Sequence, residues 1–182
     1  MTTAHKIVDI ATLNQDNLIL FVDVDYRDND TAKVSGVVTD SWTSNECAVF
    51  SKMVTNVSPY EPGAFYKREM PCIIELLYAI PHRLACIVVD GYVLLGDDQH
   101  LGLGGHLYQS LAGMIPVVGV AKTYFQGTPD NQAVHRGGST QALYVSVLGA
   151  DLETMKANVV AMHGEFRNPT LLKFVDQQCR VK

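Results

Sequence analysis

The chain has 182 residues, of which 47% are hydrophobic and 18% charged, and its formal net charge at pH 7 is −5. Length and composition are those of a globular protein with a substantial core, and we expect residues 1–182 to form a single domain. The negative charge argues against a broad basic surface of the repressor type, but not against a local nucleic-acid site.

Features of targeting or membrane attachment are missing from the sequence. The N-terminal stretch MTTAHKIVDI lacks the apolar core of a signal peptide, and no apolar run approaches the roughly 18 residues of a membrane span. We therefore expect a cytoplasmic protein with no membrane partner. The cysteines have no metal-type CxxC spacing, which favours buried, reduced thiols at Cys47, Cys72, Cys86 and Cys179.

The first strongly apolar segment is LILFVDVDY, residues 18 to 26. Its apolar side chains alternate onto both faces, which is typical of a central strand in a sheet covered on both sides. Asp23 and Asp25 close the buried part of this strand and project from the same side. A poorly hydrated carboxylate is costly unless a cation, a metal or strong donors lie nearby.

The order of the predicted elements indicates the fold class. Residues 31 to 40 and 46 to 57 alternate with period two and are bounded by turn-like residues at 27 to 30 and 41 to 45, which predicts a three-stranded antiparallel meander. An α/β pattern follows: a helix from Pro62 to about Ile80, a strand at 84 to 90, a helix near 101 to 113, strands at 116 to 121 and 142 to 148, and a helix at 151 to 164 capped by Asp151 and Gly164. This order predicts an α/β, ribonuclease H-like mixed sheet, with three antiparallel strands, then parallel strands, and helices on both faces.

Two further acids stand in unusual places. Glu69 lies in the middle of the apolar arc of the first predicted helix, although Pro71 must kink this helix or begin its second part. Asp90 closes the strand at 84 to 90 and precedes Gly91, at a carboxyl end where α/β sheets usually bind ligands. Singly, Glu69 could pair with an arginine and each aspartate could be a turn residue. Together, Asp23, Glu69 and Asp90 are the oxygen donors that Mg²⁺ or Mn²⁺ requires, and such a metal can activate water against a phosphodiester.

The segment SPYEPGAFYKREMP, residues 58 to 71, resembles the signature of the endonuclease V (deoxyinosine 3′ endonuclease) family, in which a Pro-Tyr-x-Pro-Gly loop precedes an aromatic stretch ending in Arg-Glu. Other blocks follow in family order, and the resemblance runs from about residue 18 to 176. These blocks are FVDVDY, VVDGY, GLGGHL, VVGVAKTYF and ALYVSV.

The resemblance implies a Mg²⁺- or Mn²⁺-dependent endonuclease that acts on DNA or RNA near a deaminated base such as inosine. It makes Asp23, Glu69 and Asp90 the catalytic, metal-binding acids. It also implies a wedge that separates strands at the lesion, with its aromatic ring in the space left by a base turned out into a pocket. The implied nucleic-acid-binding residues are Pro59, Tyr60, Glu61 and Pro62 of this wedge, Arg68 of the Arg-Glu block and Lys122 of the GVAK block.

The chain departs from the family pattern near its C-terminus. The family has a Gly-His-Arg block after the late strand, with a histidine that completes the active site, whereas this chain has Leu148-Gly149-Ala150. Asp176 matches the acid of a C-terminal family block, but Lys173 stands where an arginine is expected. The candidate replacements are His106, His135 and His163, although the sequence around each favours an ordinary polar histidine over a catalytic one.

Three alternatives stay open from the sequence. The Asp-x-Asp of the first strand, with Gly96-Asp97-Asp98 downstream, resembles haloacid dehalogenase-like phosphatases, in which the second aspartate is a general acid. The glycine-rich block near residue 102 suggests dinucleotide binding, but no strand–turn–helix unit frames it. A third alternative is an endonuclease V-like protein that binds lesions and no longer turns over.

Overall fold

The computed structural model of the chain describes residues 5–27 and 30–182. Within these residues the regular structure comprises ten strands and four helices, together with three single-turn helices. The strands are β1 (Lys6–Ile7), β2 (Leu18–Tyr26), β3 (Thr31–Thr39), β4 (Glu46–Thr55), β5 (Leu84–Asp90), β6 (Leu94–Leu95), β7 (His100–Leu101), β8 (Val117–Ala121), β9 (Ala133–Val134) and β10 (Leu143–Leu148). The helices are α1 (Tyr66–Tyr78), α2 (Leu103–Ser110), α3 (Leu152–Ala161) and α4 (Thr170–Arg180).

Eight of the strands form one mixed sheet in the order β1-β4-β3-β2-β5-β8-β10-β9. Strands β2, β3 and β4 are antiparallel neighbours, as the meander prediction requires. Strands β2, β5 and β8 are parallel to one another, so their carboxyl ends meet at one edge of the sheet. Strand β10 then runs antiparallel to β8. The fold is therefore the expected ribonuclease H-like α/β arrangement, but β10 differs from the prediction that the later strands are all parallel.

Both faces of the sheet are covered, because β2 is apolar on each side. Leu18, Leu20 and Val22 pack with residues of α1 and α2 in one core cluster. Ile19 and Phe21 pack with residues of α3 and α4 in the other. The two-faced burial predicted from the alternation in LILFVDVDY is confirmed.

Several element boundaries differ from the predictions. Helix α1 begins at Tyr66 rather than Pro62, and Pro71 lies inside one continuous helix instead of starting a second segment. Asp151 caps α3 as predicted, since its carboxylate accepts a hydrogen bond from the Thr154 amide at 2.8 Å. Gly164 is not the C-cap, because α3 ends at Ala161 and Met162 follows it. The turn predicted at 27 to 30 includes residues 28 and 29, which lie outside the described residues.

Helix α4 was not predicted from the sequence, yet it closes one face of the core. It packs Leu171, Leu172 and Val175 against the central strands. The four cysteines are buried and free, as expected. Within the described part of the chain, no helix is long and apolar enough to cross a membrane.

Candidate active site

The site lies at the sheet edge where β2, β5 and β8 bring their carboxyl ends together. Val22 pairs with Val89, so Asp23 and Asp90 come next on adjacent parallel strands. By alternation both aspartates share the face of Phe21 and Val88, which is the face covered by α4. Asp23 directly follows the buried part of β2, as predicted, and the strand continues to Tyr26. Asp23 lies where the pairing of β2 with β5 ends.

Glu69 reaches this edge from the opposite face of the sheet. It sits in the first turn of α1, and it is buried with Cys72, Ile73 and Leu76 as the helical arc predicts. Its side chain is only 5% exposed. Its Oε2 atom is buried and has no hydrogen-bond partner among residues 5–27 and 30–182. A buried carboxyl group with an unpartnered oxygen needs a compensating group.

Electrostatics connects the three acids, which we call the acid cluster (Asp23, Glu69 and Asp90). Burial raises the pKa of Asp23 to about 7, and the charge of Asp90 contributes to the increase. Burial also raises the pKa of Glu69 well above its usual value, with further contributions from Asp23 and Asp90. The three carboxyl groups, which come from three separate elements, therefore lie within range of one another's fields.

Helix α4 adds residues beside Asp23. Asp176 is another acid that raises the pKa of Asp23, and it pairs with Arg180 at 2.9 Å. The Cys179 thiol donates to the backbone carbonyl oxygen of Asp23 at 3.0 Å, which ties α4 to β2 at the site. Asp176 was noted in the sequence as a match to a C-terminal acid, and the structure brings it to the acid cluster.

Lys122 lies next to the acid cluster, directly after β8. Its Nζ atom is 2.7 Å from the Asp90 carboxylate, and both side chains are partly exposed. The backbone here depends on two glycines. Gly91, with φ of 125°, turns the chain after Asp90, and a Cβ atom at Gly119 would lie 2.4 Å from the Gly91 carbonyl oxygen. A larger residue at Gly119 would push away the loop that follows Asp90.

Arg68 contacts another residue of the protein. Its guanidinium lies 3.7 Å from the centroid of the Tyr26 ring, which is a cation–π arrangement. The Tyr26 hydroxyl is buried without a hydrogen-bond partner in the described residues, and burial together with Glu69 raises its pKa. The uncharged phenol of Tyr26 and the guanidinium of Arg68 thus form the wall of the site on the α1 side. A nucleic-acid contact by Arg68 stays a prediction.

The wedge loop, residues Pro59, Tyr60, Glu61 and Pro62, is exposed beside the site. Tyr60 is 62% exposed, and Glu61 is held by Lys67 at 3.0 Å. Just after the wedge loop lies a cavity of about 290 Å³, which we call the Asp90 cavity. Aromatic, glycine and apolar residues dominate its lining, which includes Gly63, Phe65, Tyr66, Asp90, Gly91, Tyr92, His100 and Leu103.

A second cavity, of about 670 Å³, lies on the other side of the Asp90–Lys122 pair. We call it the Lys122 cavity. Its lining is richer in polar groups and includes Lys122, Tyr124, His135, Gln141, Tyr144 and Arg167. The sequence did not indicate either cavity, because loops that are distant in the chain form both of them.

The three candidate histidines do not join the acid cluster. None of them is among the groups that shift the pKa of Asp23 or Glu69. His106 stacks on Tyr66 with ring centroids 3.5 Å apart, His163 bonds the Thr170 hydroxyl at 2.8 Å, and His135 lines the Lys122 cavity.

The segment Leu148-Gly149-Ala150, which stands where the family has Gly-His-Arg, is also remote from the acids. Leu148 pairs with Val117 at the amino end of β8, whereas Tyr144 pairs with Ala121 at the carboxyl end, next to Lys122. A Cβ atom on Gly149 would meet Tyr108 and Pro116. A residue at these positions therefore lies at the opposite end of β8 from Asp90.

Two alternative readings of the sequence find no support in this geometry. The phosphatase alternative needs a free Asp25, but Asp25 pairs with Arg27 at 3.3 Å, and β2 is followed by an antiparallel strand instead of an α/β unit. The glycine-rich block enters α2 from β7, a two-residue strand in a separate hairpin with β6. This is not the strand–turn–helix unit that a dinucleotide site requires.

Comparison with known proteins places this geometry in context. The sequence profile of the family described as Endonuclease V matches residues 2–164. Endonuclease V of Streptomyces coelicolor is 35% identical over 123 residues, which are 67% of this chain and 52% of that protein. Endonuclease V of Streptomyces avermitilis is 29% identical over 180 residues, covering 87% of this chain and 77% of that protein. The chain thus spans only about half the length of the first of these relatives.

Solved structures show the same fold. The crystal structure of endonuclease V from Streptomyces avermitilis has a TM-score of 0.70 at 28% identity and covers 90% of this chain and 80% of its own. Human endonuclease V has a TM-score of 0.69 at 23% identity, with coverage of 98% and 91%. Endonuclease V of Ciona intestinalis, solved with a 24mer DNA containing an inosine followed by a ribo-adenosine, has a TM-score of 0.68 at 19% identity, with coverage of 90% and 84%.

Proposed function

The chain belongs to the endonuclease V family, and from that premise we propose that it is a divalent-metal-dependent endonuclease that hydrolyses a phosphodiester bond near a deaminated base in DNA or RNA. The observation that carries the proposal is the acid cluster, in which three carboxyl groups from three elements meet at one sheet edge: Asp90 contributes to the raised pKa of Asp23, and Asp23 and Asp90 both contribute to the raised pKa of Glu69. The inosine-containing DNA bound to the Ciona relative supports inosine as the base.

The donor chemistry of the cluster fits Mg²⁺ or Mn²⁺. Within residues 5–27 and 30–182, no group of three or more His, Cys, Asp and Glu side chains is already arranged around a metal position. The buried Oε2 atom of Glu69, however, is an unpartnered oxygen of the kind these hard cations bind. Asp23 and Asp90 would hold the ion, with Glu69 completing the set. When bound, the metal supplies an activated water and neutralises charge on the phosphodiester.

Lys122 would act on the substrate phosphate. In the free protein its ammonium group neutralises Asp90 at 2.7 Å. Once a cation compensates Asp90, the partly exposed Lys122 is free to bind a non-bridging phosphate oxygen. Lys122 thereby orients the phosphodiester over the acid cluster.

The wedge loop and the Asp90 cavity would provide lesion recognition. A deaminated base pairs poorly, so turning it out of the stack costs less than for a normal base. The exposed ring of Tyr60 would replace the lost stacking. The aromatic and glycine-lined Asp90 cavity, beside the same loop, would enclose the base, and its volume is at the lower end of ligand pockets.

The test is single-turnover cleavage of inosine-containing single strands and duplexes of DNA and RNA, with Mg²⁺, Mn²⁺ or EDTA. We expect metal-dependent cleavage that Asp23→Asn abolishes and Glu69→Gln severely reduces. Asp25→Asn, which removes one ion pair of Arg27 and leaves its hydrogen bonds to the carbonyl oxygens of Cys179 and Val181, should cost less than about tenfold in rate, or about 1.4 kcal/mol. Asp16→Asn is the matched control, because Asp16 is exposed beside Leu84, at the amino end of β5.

Other outcomes would overturn the proposal. Tight inosine-dependent binding without cleavage in any metal would make the protein a lesion-binding protein. Turnover of a small phosphomonoester alone, with Asp25→Asn as damaging as Asp23→Asn, would favour the phosphatase alternative.

A further inference from the structure

The Lys122 cavity has no role in the function proposed above, yet it is continuous with the acid cluster. Asp90 lines one cavity and Lys122 lines the other, and the two side chains are joined at 2.7 Å. The partition between the cavities is aromatic: the ring centroids of Tyr92 on one side and Tyr144 on the other lie 6.4 Å apart, with the ring planes inclined by 27°. A strand whose phosphate lies at Asp90 and Lys122 therefore has a cavity on each side of that phosphate.

Although the protein is acidic overall, the charged side chains that line the Lys122 cavity are mainly basic, which suits a polyanion. Among the residues that the structure describes, the cavity lining contains Lys122, Arg167 and His135 and a single acid, Asp130. The Arg167 guanidinium is held in place, since it donates to the carbonyl oxygen of Ala142 at 2.8 Å and to that of Lys122. A fixed guanidinium beside Lys122 can meet a phosphate without first being ordered.

The same cavity presents a free aromatic surface. Tyr124 is 56% exposed, and its ring stands edge-on to Tyr144 at 5.7 Å. The Tyr92 hydroxyl fixes the backbone beside it by donating to the Thr123 carbonyl at 2.9 Å and accepting from the Phe125 amide at 3.2 Å. Exposed aromatic rings next to cations are the stacking platforms on which proteins bind the bases of single strands.

We propose that the Lys122 cavity is a second nucleotide subsite, in which a base on the opposite side of the cleaved bond from the turned-out base stacks on Tyr124. This proposal rests on the proposed function, because the acid cluster must hold the phosphodiester between the two cavities. Gln141 and His135 line the same space and would contact the edge of the stacked base. With this subsite, affinity for the strand depends on a second base besides the lesion.

The test uses fluorescence anisotropy with single-stranded DNA that carries one inosine, in Ca²⁺, which binds oxygen ligands as Mg²⁺ does but activates water less strongly, so that the acid cluster is loaded during the binding measurement. An abasic residue is placed in turn at the first, second and third position 3′ to the inosine. We expect one of these substitutions to lower wild-type affinity by about fivefold to hundredfold, the worth of one base–aromatic stack. Tyr124→Ala should bind the intact strand as weakly as the wild type binds that abasic strand, and Tyr124→Phe should keep the preference.

Controls separate this proposal from the assignment of function. Tyr78→Ala removes an 81% exposed tyrosine, which lies at the end of α1 away from the acid cluster, and should leave all affinities unchanged. The subsite is refuted if no abasic position matters to the wild type, or if Tyr124→Ala weakens intact and abasic strands equally. Replacing inosine with adenine tests lesion recognition separately. If affinity does not depend on the inosine but still depends on the downstream base, the proposed function is overturned and the subsite is retained.

Discussion

The raised pKa of Asp23 predicts that metal binding releases a proton. That pKa is about 7, and a carboxyl group must be ionised before it binds Mg²⁺ or Mn²⁺. Deprotonating Asp23 costs about 1.4 kcal/mol at pH 6 but less than about 0.1 kcal/mol at pH 8. Asp23 alone should therefore make metal affinity about tenfold higher at pH 8 than at pH 6.

Isothermal titration calorimetry with Mn²⁺ measures both quantities. Titrations at pH 6 and pH 8, in buffers with different ionisation enthalpies, give the affinity and the number of protons released. Glu69 also has a raised pKa and would add to the count. The Glu69→Gln variant removes this second titrating carboxyl group, so the proton release that remains comes from Asp23. In this variant we expect about 0.9 proton released at pH 6 and about 0.1 at pH 8.

Two further variants complete the design. Asp16→Asn should behave as the wild type, and Asp23→Asn should lose both the proton release at pH 6 and most of the affinity. If Glu69→Gln binds Mn²⁺ equally well at pH 6 and pH 8 and releases no proton, Asp23 is not a buried carboxyl group that ionises to hold the metal.

Two other predictions concern stability and lesion binding. Without metal, Asp23 keeps its proton in the folded protein up to a pKa of about 7, whereas in the unfolded chain it loses the proton near pH 4, so the stability of the wild type falls as pH rises through this window. Urea unfolding in EDTA should show that the free energy of unfolding of Asp23→Asn, relative to that of the wild type, increases by up to about 4 kcal/mol between pH 4 and pH 8. A wild-type and mutant difference that does not change with pH would contradict this. Tyr60→Ala should weaken binding of inosine-containing duplexes by about 1 to 3 kcal/mol, with Tyr78→Ala as control and an unchanged melting temperature; unaltered affinity would make Tyr60 an ordinary surface tyrosine.

Periodicity was sufficient to predict the centre of the fold. The alternation in residues 18 to 26 predicted a strand buried on both faces, and Ile19 and Leu20 do enter opposite core clusters. The arc of α1 likewise predicted the burial of Glu69. These predictions succeed because burial on a regular element depends on residue spacing alone.

Helix α4 was missed although its sequence carries a usable pattern. Leu171, Leu172, Val175 and Cys179 recur at helical spacing and are buried. The cavities and the contact of Arg68 with Tyr26 are different, since they depend on segments that meet only after folding. No spacing rule in a single sequence relates Tyr92 to Tyr144, or Lys122 to Asp90, across the sheet edge.

The distribution of charge at the site explains why a cation is needed there. Asp90 is neutralised by Lys122, and Asp176 is neutralised by Arg180. Asp23 and Glu69 form no ion pair among residues 5–27 and 30–182, and it is their pKa values that rise. In the free protein, protons therefore take the place of a counter-charge for these two acids. Because a divalent cation can displace such protons, we infer that metal binding at this edge is an exchange of protons for metal.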